Sequence, residues 1–481
     1  MSLLFFVAIL VGKLIGFVSR VLGAGIGATW PGEIALRLSP HILERFISSD
    51  IYVVLVAGTN GKTTTAKMIE TVLRHIGKRV AHNKSGANLD NGIVSAFLSD
   101  AGWDGKLRSK YFVLEVDENT LPNIVKKLES YKVYKVNKEE SRKVIIVLLN
   151  LFRDQLDRYG EVDAIAERWL KALQRIRHPE PASPAGRLDS GSTEKMPKQV
   201  RHDEKDFSLI INADDPQLAY IGSKLNQSIS YFGLENPSLF LPSIQHATDS
   251  IYCPQCGNRL TFGGVYYSHL GKWACGQCGL THPVVELSSR DFNSPIEGVY
   301  NKYNTLAASA VCRSLGVSTE HIKEGLKLFT PAFGRMETIV ASGKRVKILL
   351  SKNPTGFNES LRTAIHAGAH TILLVLNDRI PDGRDVSWIW DVDFELLKQD
   401  EHVRVERDKH MIYISGDRCY DMGLRIKYAG LKRDEYHVEL SLPEAIQQAL
   451  GEIDDKETLW VLPTYSAMLD VRKILTGRKI L

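Results

Sequence analysis

A short glycine-framed loop with one lysine and several hydroxyl groups is the stretch of this sequence best suited to chemistry. It comprises Gly58, Thr59, Asn60, Gly61, Lys62, Thr63 and Thr64. The loop follows the apolar run 51–56, typical of a buried parallel strand, and precedes 65–77, whose apolar residues recur at helical spacing. Backbone amides at a helix start attract anions, a lysine can reach phosphate oxygens, and a threonine hydroxyl can bind Mg²⁺. The pattern predicts a phosphate-binding loop, although Val56 stands where the commonest such loops have their first glycine.

Polar residues that could work with this loop follow later predicted elements. Glu115 and Asp117 end the predicted strand 111–116, and a carboxylate near a phosphate-binding loop suits Mg²⁺. The other candidates are Asp154, Asp157 and Arg158 after the predicted strand 143–151, the pair Asn301 and Asn304 at i, i+3 spacing, and Arg335 with its planar guanidinium. Each is weak evidence alone, because an isolated Asp–Arg pair is usually a solvated ion pair and an isolated Asn often caps a helix.

Four of the six cysteines form a second, independent pattern. Cys253 and Cys256, and then Cys275 and Cys278, make two C-x2-C turns separated by eighteen residues. Such turns point thiolates at one metal, and four thiolates complete a tetrahedral Zn²⁺ site with no position left for a substrate. The pattern predicts a structural zinc ribbon over 240–290, in preference to disulfides, which are rare in the cytosol. Cys312 and Cys419 stand alone and are interpreted as buried small hydrophobes.

The order of predicted elements indicates an α/β protein with two main domains. Strand patterns over 51–56, 111–116, 143–151 and 207–215 alternate with helical patterns, which predicts a doubly wound parallel sheet. A second α/β pattern begins near 340, with strands predicted over 344–350, 370–378, 410–416 and 459–465. The expected domains are 49–339 and 340–481, preceded by an apolar helix and a connecting segment over 1–48. The Pro-, Ser- and charge-rich stretch 178–206 is predicted to be a disordered surface insertion.

Composition and charge restrict the function classes. With 44% hydrophobic and 24% charged residues, the 481-residue chain has the composition of an ordinary globular protein. Its net charge of +5 is mild and the sequence contains no long Lys/Arg run, so nucleic acid is not an expected partner. An anionic substrate or an anionic lipid surface is compatible with this charge.

The N-terminus carries a strongly apolar stretch. Its uninterrupted part, from Leu3 to Val11, is too short to cross a bilayer, which takes about 20 apolar residues. Lys13 and Arg20 lie seven residues apart on one helix face, with apolar residues around the rest. We interpret residues 3–22 as a helix that contacts the membrane surface. Packing on the protein itself and true spanning are the alternatives.

Taken together and in this order, the loop, Glu115, the two asparagines and Arg335 resemble the central domain of Mur ligases across residues 50–340. The stretches HNKSGANLDNGI, NLFRDQLDRYGE, SKNPTGFN and NDRIPDGRDVSWIWDVDFE, with the cysteine module, resemble the MurT family, the Mur-ligase-like subunits of lipid II isoglutaminyl synthase. This resemblance covers nearly the whole chain except 178–206 and the apolar N-terminus. It implies a Mur-ligase central domain with a zinc-ribbon insertion, followed by a C-terminal α/β domain.

The resemblance also implies a reaction and the residues that perform it. ATP would be bound by Gly58, Thr59, Asn60, Gly61, Lys62, Thr63, Thr64, Asn301, Asn304 and Arg335. Mg²⁺ would lie on Thr63 and Glu115, and Lys62 and Glu115 would act in catalysis. The expected reaction is ATP-dependent amidation of the D-glutamate α-carboxyl of lipid II to D-isoglutamine, through an acyl phosphate, in peptidoglycan biosynthesis. The lysine that amino-acid-adding Mur ligases carbamylate has no clear equivalent, since neither Arg168 nor Lys171 is in register.

The nitrogen source is expected to be a partner protein. No cysteine lies in a glutaminase-type nucleophile turn, so the family's glutaminase partner, a GatD-like subunit, would supply ammonia. The resemblance implies that an aspartate of 382–393 completes the partner's catalytic triad, with Asp391 as first candidate and Asp385 and Asp393 as alternates. We expect a cytoplasmic complex at the inner face of the cytoplasmic membrane, acting on membrane-bound lipid II.

Two other functions are compatible with parts of the sequence. A stand-alone Mur-type ligase that adds an amino acid, similar to folylpolyglutamate synthetase, would need no partner. The cysteine module and the segment DVSWIWDVDFE argue against it. A zinc-ribbon scaffold that binds nucleic acid would bind RNA or DNA tightly and with strong salt dependence, without turnover of a carboxylate substrate. Few aromatic residues alternate with basic ones in the ribbon, which argues against this function.

Overall fold

The protein is built from two six-stranded sheets flanked by helices, with a two-stranded ribbon between them in the chain. The computed structural model describes residues 3–21, 29–47, 51–83, 87–130, 143–154, 161–176, 207–225, 228–245, 248–332, 334–398 and 411–477. The helices are α1 (Leu3–Val21), α2 (Trp30–Leu38), α3 (Ile42–Ile47), α4 (Lys62–His75), α5 (Asp90–Asp100), α6 (Leu121–Ser130), α7 (Val162–Arg175), α8 (Pro216–Ser223), α9 (Val299–Ser314), α10 (Thr319–Lys327), α11 (Pro354–His366), α12 (Cys419–Tyr428), α13 (Leu442–Glu452) and α14 (Tyr465–Thr476). The strands are β1 (Tyr52–Ala57), β2 (Val80–His82), β3 (Tyr111–Val116), β4 (Lys143–Leu148), β5 (Phe207–Asn212), β6 (Ile229–Phe232), β7 (Thr261–Tyr267), β8 (Leu270–Ala274), β9 (Arg335–Ala341), β10 (Lys344–Leu349), β11 (Thr371–Val375), β12 (Met411–Ser415), β13 (Tyr436–Val438) and β14 (Thr458–Pro463). Short 3-10 helices span Pro237–Leu239, Ser387–Asp391 and Phe394–Leu397.

The first sheet carries the predicted phosphate-binding loop at its centre. Its strand order is β2-β3-β1-β4-β5-β6, and every neighbouring pair is parallel. Val53 and Leu55 of β1 pack into one hydrophobic core, and Val54 and Val56 pack into another on the opposite face, because side chains alternate along a strand. Helices α5, α6 and α7 cover the first face, and α4, α9 and α10 cover the second. The carboxyl ends of β1, β3 and β4 therefore meet at one edge of the sheet, where the loop begins.

The second sheet has the order β13-β12-β11-β14-β10-β9 and is parallel except for β9, which pairs antiparallel with β10. The four strands predicted in this half are present as β10, β11, β12 and β14. Strand β9 already belongs to this sheet from Arg335 onward. The predicted domains 49–339 and 340–481 stay predictions, and β9 begins before the predicted boundary between them.

Strands β7 and β8 form an antiparallel hairpin inside the predicted cysteine module. Leu260 and Trp273 of the ribbon form a small apolar cluster with Ala219 of α8, so the ribbon is packed onto the central domain. The predicted insertion 178–206 lies outside the described residues.

Helix α1 packs on the protein through one face. Phe5 and Ile9 are buried on it, and the Phe5 ring lies 5.4 Å from that of Phe46. The Lys13 ammonium donates to the carbonyl oxygens of Leu98, at 3.0 Å, and Ala101, and so points toward the protein. The opposite face exposes Leu4, Leu10, Leu14, Phe17 and Val18. Among the described helices, none has both the length and the apolar character needed to cross a membrane.

Candidate active site

The predicted phosphate-binding loop is a preformed turn between β1 and α4. Gly58 and Gly61 have φ angles of +146° and +90°, a region that side-chain-bearing residues rarely adopt. A Cβ atom on Gly61 would lie 2.0 Å from Oδ1 of Asn304, so only glycine fits there. Asn150, just after β4, fixes the loop from the other side: its Oδ1 accepts from the Asn60 amide at 2.8 Å. The loop therefore keeps its shape through contacts with the neighbouring strand end and with α9.

Lys62 is held inside the loop. Its Nζ donates to the carbonyl oxygens of Gly58 and Thr59 and lies 3.1 Å from Oε2 of Glu118. Both charged side chains are buried, so solvent screens this ion pair poorly. An anion in the loop would offer the ammonium a partner in place of Glu118. Glu118 was not predicted from the sequence, although it lies in the same short run of carboxylates as Glu115.

Glu115 is the centre of a buried hydrogen-bonded group. Its carboxylate accepts from Oγ1 of Thr63 at 2.6 Å and lies 3.2 Å from Nε2 of His82, whose Nδ1 lies 3.4 Å from Glu70. Burial opposes ionisation of Glu115, but the hydrogen bond from His82 and the charge of Arg335 hold its pKa below the ordinary value. Burial likewise opposes charging of His82, but the two carboxylates raise its pKa to about 9. An ionised carboxylate beside a threonine hydroxyl is a donor set that Mg²⁺ prefers.

Asn301, Asn304 and Arg335 complete the lining of the site around the loop and Glu115. Both asparagines are buried on the face of α9 that meets the loop, and Nδ2 of Asn304 donates to Oδ1 of Asn301 at 3.1 Å. Arg335 opens β9 and is close enough to Glu115 to influence its charge. The next residue, Met336, has φ +60°, which is unusual for a side-chain-bearing residue and is typical of strained functional sites.

One cavity of about 270 Å³ joins these groups to the C-terminal domain. It brings together Thr59, Asn60, Gly61, Lys62, Thr63, Thr64, Glu115, Asn301, Asn304 and Arg335, which are the predicted nucleotide and magnesium residues apart from Gly58. Its other wall includes Lys352, Thr355, Gly356, Glu359, Ser360 and Tyr465. These residues follow the carboxyl ends of β10 and β14, so the cavity lies between the carboxyl edges of both parallel arrays, where α/β proteins usually bind ligands.

Lys352 and Asp154 link the two walls. The Lys352 ammonium donates to Oδ2 of Asp154; burial opposes its charge, but Asp154 raises its pKa above the ordinary value. Oδ1 of Asp154 is buried and has no hydrogen-bond partner in the described part of the chain, so a ligand donor or cation could use it. Nδ2 of Asn353 also donates to Asn60 across the cavity at 3.2 Å. The motif SKNPTGFN, noted in the sequence only for its resemblance, is the signal that could have identified Lys352.

Helix α7 presents no lysine to the cavity along Val162–Arg175. Its Lys171 side chain is 66% exposed and pairs with Glu167 at 2.6 Å, and Arg168 is also on the surface. The buried residue of this turn is Trp169, whose Nε1 donates to the carbonyl oxygen of Glu118 at 2.8 Å. Asp157 and Arg158 lie outside the described residues.

The four predicted ligand cysteines come together in the ribbon. Their Sγ atoms all lie within 4.8 Å of one another, with Cys253 at 3.6 Å from Cys278 and Cys256 at 3.5 Å from Cys275. Gly257 and Gly279 follow the second cysteine of each turn at φ +74° and +75°, and their amides donate to the carbonyl oxygens of the first cysteines. Zn–S bonds of about 2.3 Å in a tetrahedron need such sulfur spacings. Cys312 and Cys419 are buried single residues, as predicted.

The loop that contains the three candidate triad aspartates is anchored on its own domain by Ile389, which is buried. Trp390 remains 45% exposed, and the neighbouring carboxylate of Asp391 is 37% exposed and lies 3.5 Å from Nη1 of Arg153 in the central domain. The alternate residue Asp393 turns inward and accepts hydrogen bonds from Asn358 and Gln245, both at 3.2 Å. The other alternate, Asp385, is exposed, but its Oδ1 accepts from the amide of its own loop at Ser387. Asp391 and Asp385 are therefore accessible to another protein, whereas Asp393 is tied into the structure.

Two family models match separate parts of this chain. A family model described as the Mur ligase middle domain matches residues 56–180, and one described as the MurT ligase C-terminal domain matches residues 350–468. The MurT subunit of lipid II isoglutaminyl synthase (glutamine-hydrolyzing) from Staphylococcus aureus is 30% identical over 479 residues, which cover 96% of this chain and 95% of that protein. The chain belongs to the MurT family. The same subunit from Streptococcus pneumoniae is 29% identical over 490 residues, covering 98% of this chain and 97% of that protein.

Solved structures place the MurT-family chain in the Mur ligase fold. A pseudomurein peptide ligase type C from Methanothermus fervidus superposes with a TM-score of 0.61 at 19% identity, covering 91% of this chain and 81% of that one. MurF from Acinetobacter baumannii gives a TM-score of 0.56 at 15% identity, covering 92% and 79%. A MurF ligase from Thermotoga maritima in complex with ADP gives 0.53 at 14% identity, covering 91% and 82%. The predicted fold class, a central Mur-ligase domain followed by a second α/β domain, is confirmed.

Proposed function

We propose that this MurT-family chain is the ligase subunit that amidates the D-glutamate α-carboxyl of lipid II to D-isoglutamine, at the expense of ATP, in peptidoglycan biosynthesis. The observation that carries the proposal is the shared cavity, where a phosphate-type loop meets Lys352 and a buried carboxylate from the C-terminal domain. The relatives named as lipid II isoglutaminyl synthase subunits match along almost the full chain, including the C-terminal domain. That match argues against a stand-alone amino-acid ligase and against a nucleic-acid scaffold.

The residues of the loop would bind and polarise the phosphates of ATP. Lys62 would leave Glu118 for the outer phosphates, and Arg335 would neutralise the transferred group from the other side. Asn301 and Asn304 would contact the nucleotide on the α9 side. Mg²⁺, when held by Thr63 and Glu115, would supply further charge neutralisation at the phosphates.

The reaction would proceed in two displacements. A substrate carboxylate oxygen attacks the γ-phosphorus, and the bond between the γ-phosphorus and the β-bridging oxygen breaks. ADP departs, and the substrate carboxylate becomes an acyl phosphate. Ammonia then adds to the acyl carbon, and phosphate departs with the electron pair of the C–O bond. Lys352 is the cation of the opposite wall placed to hold the substrate carboxylate, since it already binds the carboxylate of Asp154. Position and electrostatic stabilisation would contribute most of the rate.

The cysteine cluster would hold Zn²⁺ in a structural role. All four ligand positions are filled by protein sulfurs, so no coordination position remains for a substrate. The ribbon lies on α8 and contributes Gln245 to the hydrogen bonds of Asp393, so the metal would stabilise the junction between the two domains.

Ammonia would come from a GatD-like glutaminase that docks on the C-terminal domain. Tyr420, Leu424 and Tyr428 form an exposed stripe at i, i+4 and i+8 on α12, and the ring of Tyr428 lies 5.6 Å from that of Trp390. Exposed aromatic residues of this kind are enriched in binding hot spots. Asp391 follows Trp390 directly and would orient the catalytic histidine of the partner, with Asp385 as the remaining alternate.

Helix α1 would bring the complex to the cytoplasmic face of the membrane that carries lipid II. Its outward face is apolar, and the exposed side chains of Trp30 and Trp103 lie on neighbouring segments. The loop at Gly105 packs against Phe5 and Ile9, which puts the exposed Lys106 beside this end of the helix. An apolar face edged by tryptophan and a basic residue suits the interface of an anionic bilayer.

The decisive experiment is reconstitution with a GatD-like glutaminase. Lipid II, ATP and Mg²⁺ are supplied with glutamine or with ammonium, and the stem peptide is analysed by mass spectrometry together with phosphate release. We expect D-isoglutamine in step with phosphate from either nitrogen source when the complex is present, and from ammonium alone when only this chain is present. Transfer of an amino acid, or ATP hydrolysis without amide formation, would refute the proposal.

A further inference from the structure

Glu359 is a buried carboxylate of the cavity to which the phosphate chemistry gives no role. It lies on α11, is almost fully buried, and lines the wall opposite the phosphate-type loop. Its Oε1 lies 3.2 Å from Nη1 of Arg362, one turn further along the same helix. A buried carboxylate that faces a cavity is costly to keep, because the charged form loses its hydration. A ligand that enters the cavity could offer this carboxylate a hydrogen-bond donor or a cation.

A chain of polar side chains connects Glu359 to the loop of Asp391. Nη2 of Arg362 lies 3.9 Å from Asp393, and the Asp393 amide donates to Oδ1 of Asn358 at 2.8 Å. Asp393 is two residues from Asp391, the proposed contact with the glutaminase. The inner end of this chain is the ligase cavity, and its other end is the inward-facing Asp393, in the loop that carries Asp391. Glu359 is therefore the carboxylate of the cavity that this chain of contacts links to the loop of Asp391.

We propose that Glu359 is the acceptor for the incoming nitrogen: it binds ammonium at the inner end of this polar chain and takes one proton from it, so that ammonia is formed beside the acyl phosphate. The inference rests on the proposed amidation and deepens it by assigning the site of the second substrate. Ammonium is a compact cation with four N–H donors, which a carboxylate in a small polar cavity binds well.

The charges around Glu359 are compatible with reversible protonation. Burial raises its pKa to about 7, while the charge of Arg362 acts in the opposite direction. The phenol groups of Tyr267 and Tyr300 also face it from β7 and α9, and burial raises the pKa of both, so they stay neutral. A base works best when its pKa lies near the working pH.

The step balances with the groups named. Ammonium gives one proton to the Glu359 carboxylate, and the freed lone pair of ammonia forms the N–C bond to the acyl carbon. The C–O bond to phosphate breaks and its electron pair leaves with the phosphate. The amide nitrogen then loses one proton to that phosphate, which departs as hydrogen phosphate. Glu359 returns its proton to solvent when the product leaves.

The test compares Glu359→Gln with wild type in the full complex, using ammonium chloride without glutamine. We expect kcat/KM for ammonium to fall about 100-fold near neutral pH, while the Kd for ATP stays unchanged. The defect should shrink as the pH rises, because solution then supplies free ammonia, about tenfold more per pH unit. Hydroxylamine, which is already neutral near pH 7, should give hydroxamate at nearly wild-type rate. Glu359→Asp, which keeps the carboxylate, should lose much less than Glu359→Gln.

Controls separate this inference from the function on which it rests. Glu324→Gln on α10 removes an exposed carboxylate that lies 3.4 Å from His75 and should change nothing. If wild type forms neither amide nor hydroxamate, the proposed amidation itself fails. If wild type is active and Glu359→Gln loses ammonium and hydroxylamine turnover equally at every pH, Glu359 is structural and the inference is wrong. Unchanged kcat/KM for ammonium would also overturn it. Should Glu359→Gln not fold, a pH-independent defect in Glu359→Asp would have the same meaning.

Discussion

The two walls of the cavity differ in how the chain encodes them. The central-domain wall is dominated by one contiguous loop, 58–64, whose shape is fixed by glycine φ angles and by Asn150. The C-terminal wall is assembled from separate segments over 349–360 and at 465, and its neighbouring loop 382–395 presents Trp390 and Asp391 at the surface. A contiguous loop takes its shape once its own strand and helix have formed. A wall of separate segments forms only when a whole domain has packed, and such a domain can connect a cavity to a distant surface.

This difference assigns separate tasks to the two walls. Phosphate chemistry would depend on the central wall whatever the source of nitrogen, whereas delivery of nitrogen would depend on the C-terminal domain and its outer loop. Ammonium and glutamine therefore act as two probes of one reaction. A change in the central wall should affect both probes equally, and a change in the outer loop should affect glutamine alone.

Lys62→Ala should cause the largest loss. The substitution removes the one cation of the loop, and we expect amidation with ammonium and with glutamine to fall together by about 10³-fold. Rates are measured in the reconstituted complex, with zinc content determined in parallel and expected to be unchanged. Lys171→Ala, which removes an exposed lysine that pairs with Glu167, is the matched control. A variant of Lys62 with full activity would remove the nucleotide site from this loop.

Asp391→Asn should lower amidation with glutamine much more than amidation with ammonium. If Asp391 orients the histidine of the partner, glutamine-dependent amidation should fall by at least about 100-fold, because the histidine loses its orienting charge. Amidation with added ammonium should stay within about twofold of wild type, since Asp391 does not line the cavity. The readout is the ratio of the two rates.

Asp455→Asn, an exposed change in the turn before β14, serves as the control for Asp391→Asn. The same ratio measured for Asp385→Asn shows whether that alternate supplies the carboxylate instead. Equal losses with both nitrogen sources in Asp391→Asn would put this residue in the ligase site or the core, and the shared triad would be excluded.

The same contrast explains what could be predicted from the sequence. The loop and the four cysteines were recognised because their spacing alone restricts their geometry, whereas the roles of Glu115, Asn301 and Asn304 were implied by the resemblance to Mur ligases. Lys352 and Glu359 were missed, because their role depends on two domains meeting across a cavity, and Glu118 was missed, because spacing does not show that its side chain faces Lys62. The strand patterns identified the eight inner strands of the two sheets but missed the four edge strands β2, β6, β9 and β13, which lack the apolar run of a buried parallel strand. The surface position of Asp391 likewise follows from packing of Ile389 and could not be read from spacing.

Cys253→Ser tests whether the ribbon supports the junction of the two walls. Three remaining thiolates cannot close the site, so we expect loss of zinc and destabilisation by at least about 3 kcal/mol, seen as a lower Tm and in metal analysis. Cys419→Ser also places a hydroxyl at a buried thiol but lies outside the cluster, and it should keep zinc. Wild-type protein without zinc would show that the cluster has another role.

The smallest effect on chemistry should come from the outward face of α1, none of whose described residues lines the cavity. Leu10→Gln, Leu14→Gln and Phe17→Gln together replace exposed apolar side chains and leave the inner face, with Phe5 and Ile9, in place. If the outward face lies in the bilayer interface, binding to vesicles containing anionic phospholipid should fall by about tenfold or more, because each side chain contributes apolar burial there. Amidation of a water-soluble stem-peptide analogue should not change.

The triple change Leu328→Gln, Val340→Gln and Leu440→Gln removes exposed apolar residues elsewhere and should leave vesicle flotation intact. Equal flotation of both triple variants would exclude the membrane face, and a monomer–dimer shift confined to the α1 variant would mark this helix as a contact between two copies of the chain.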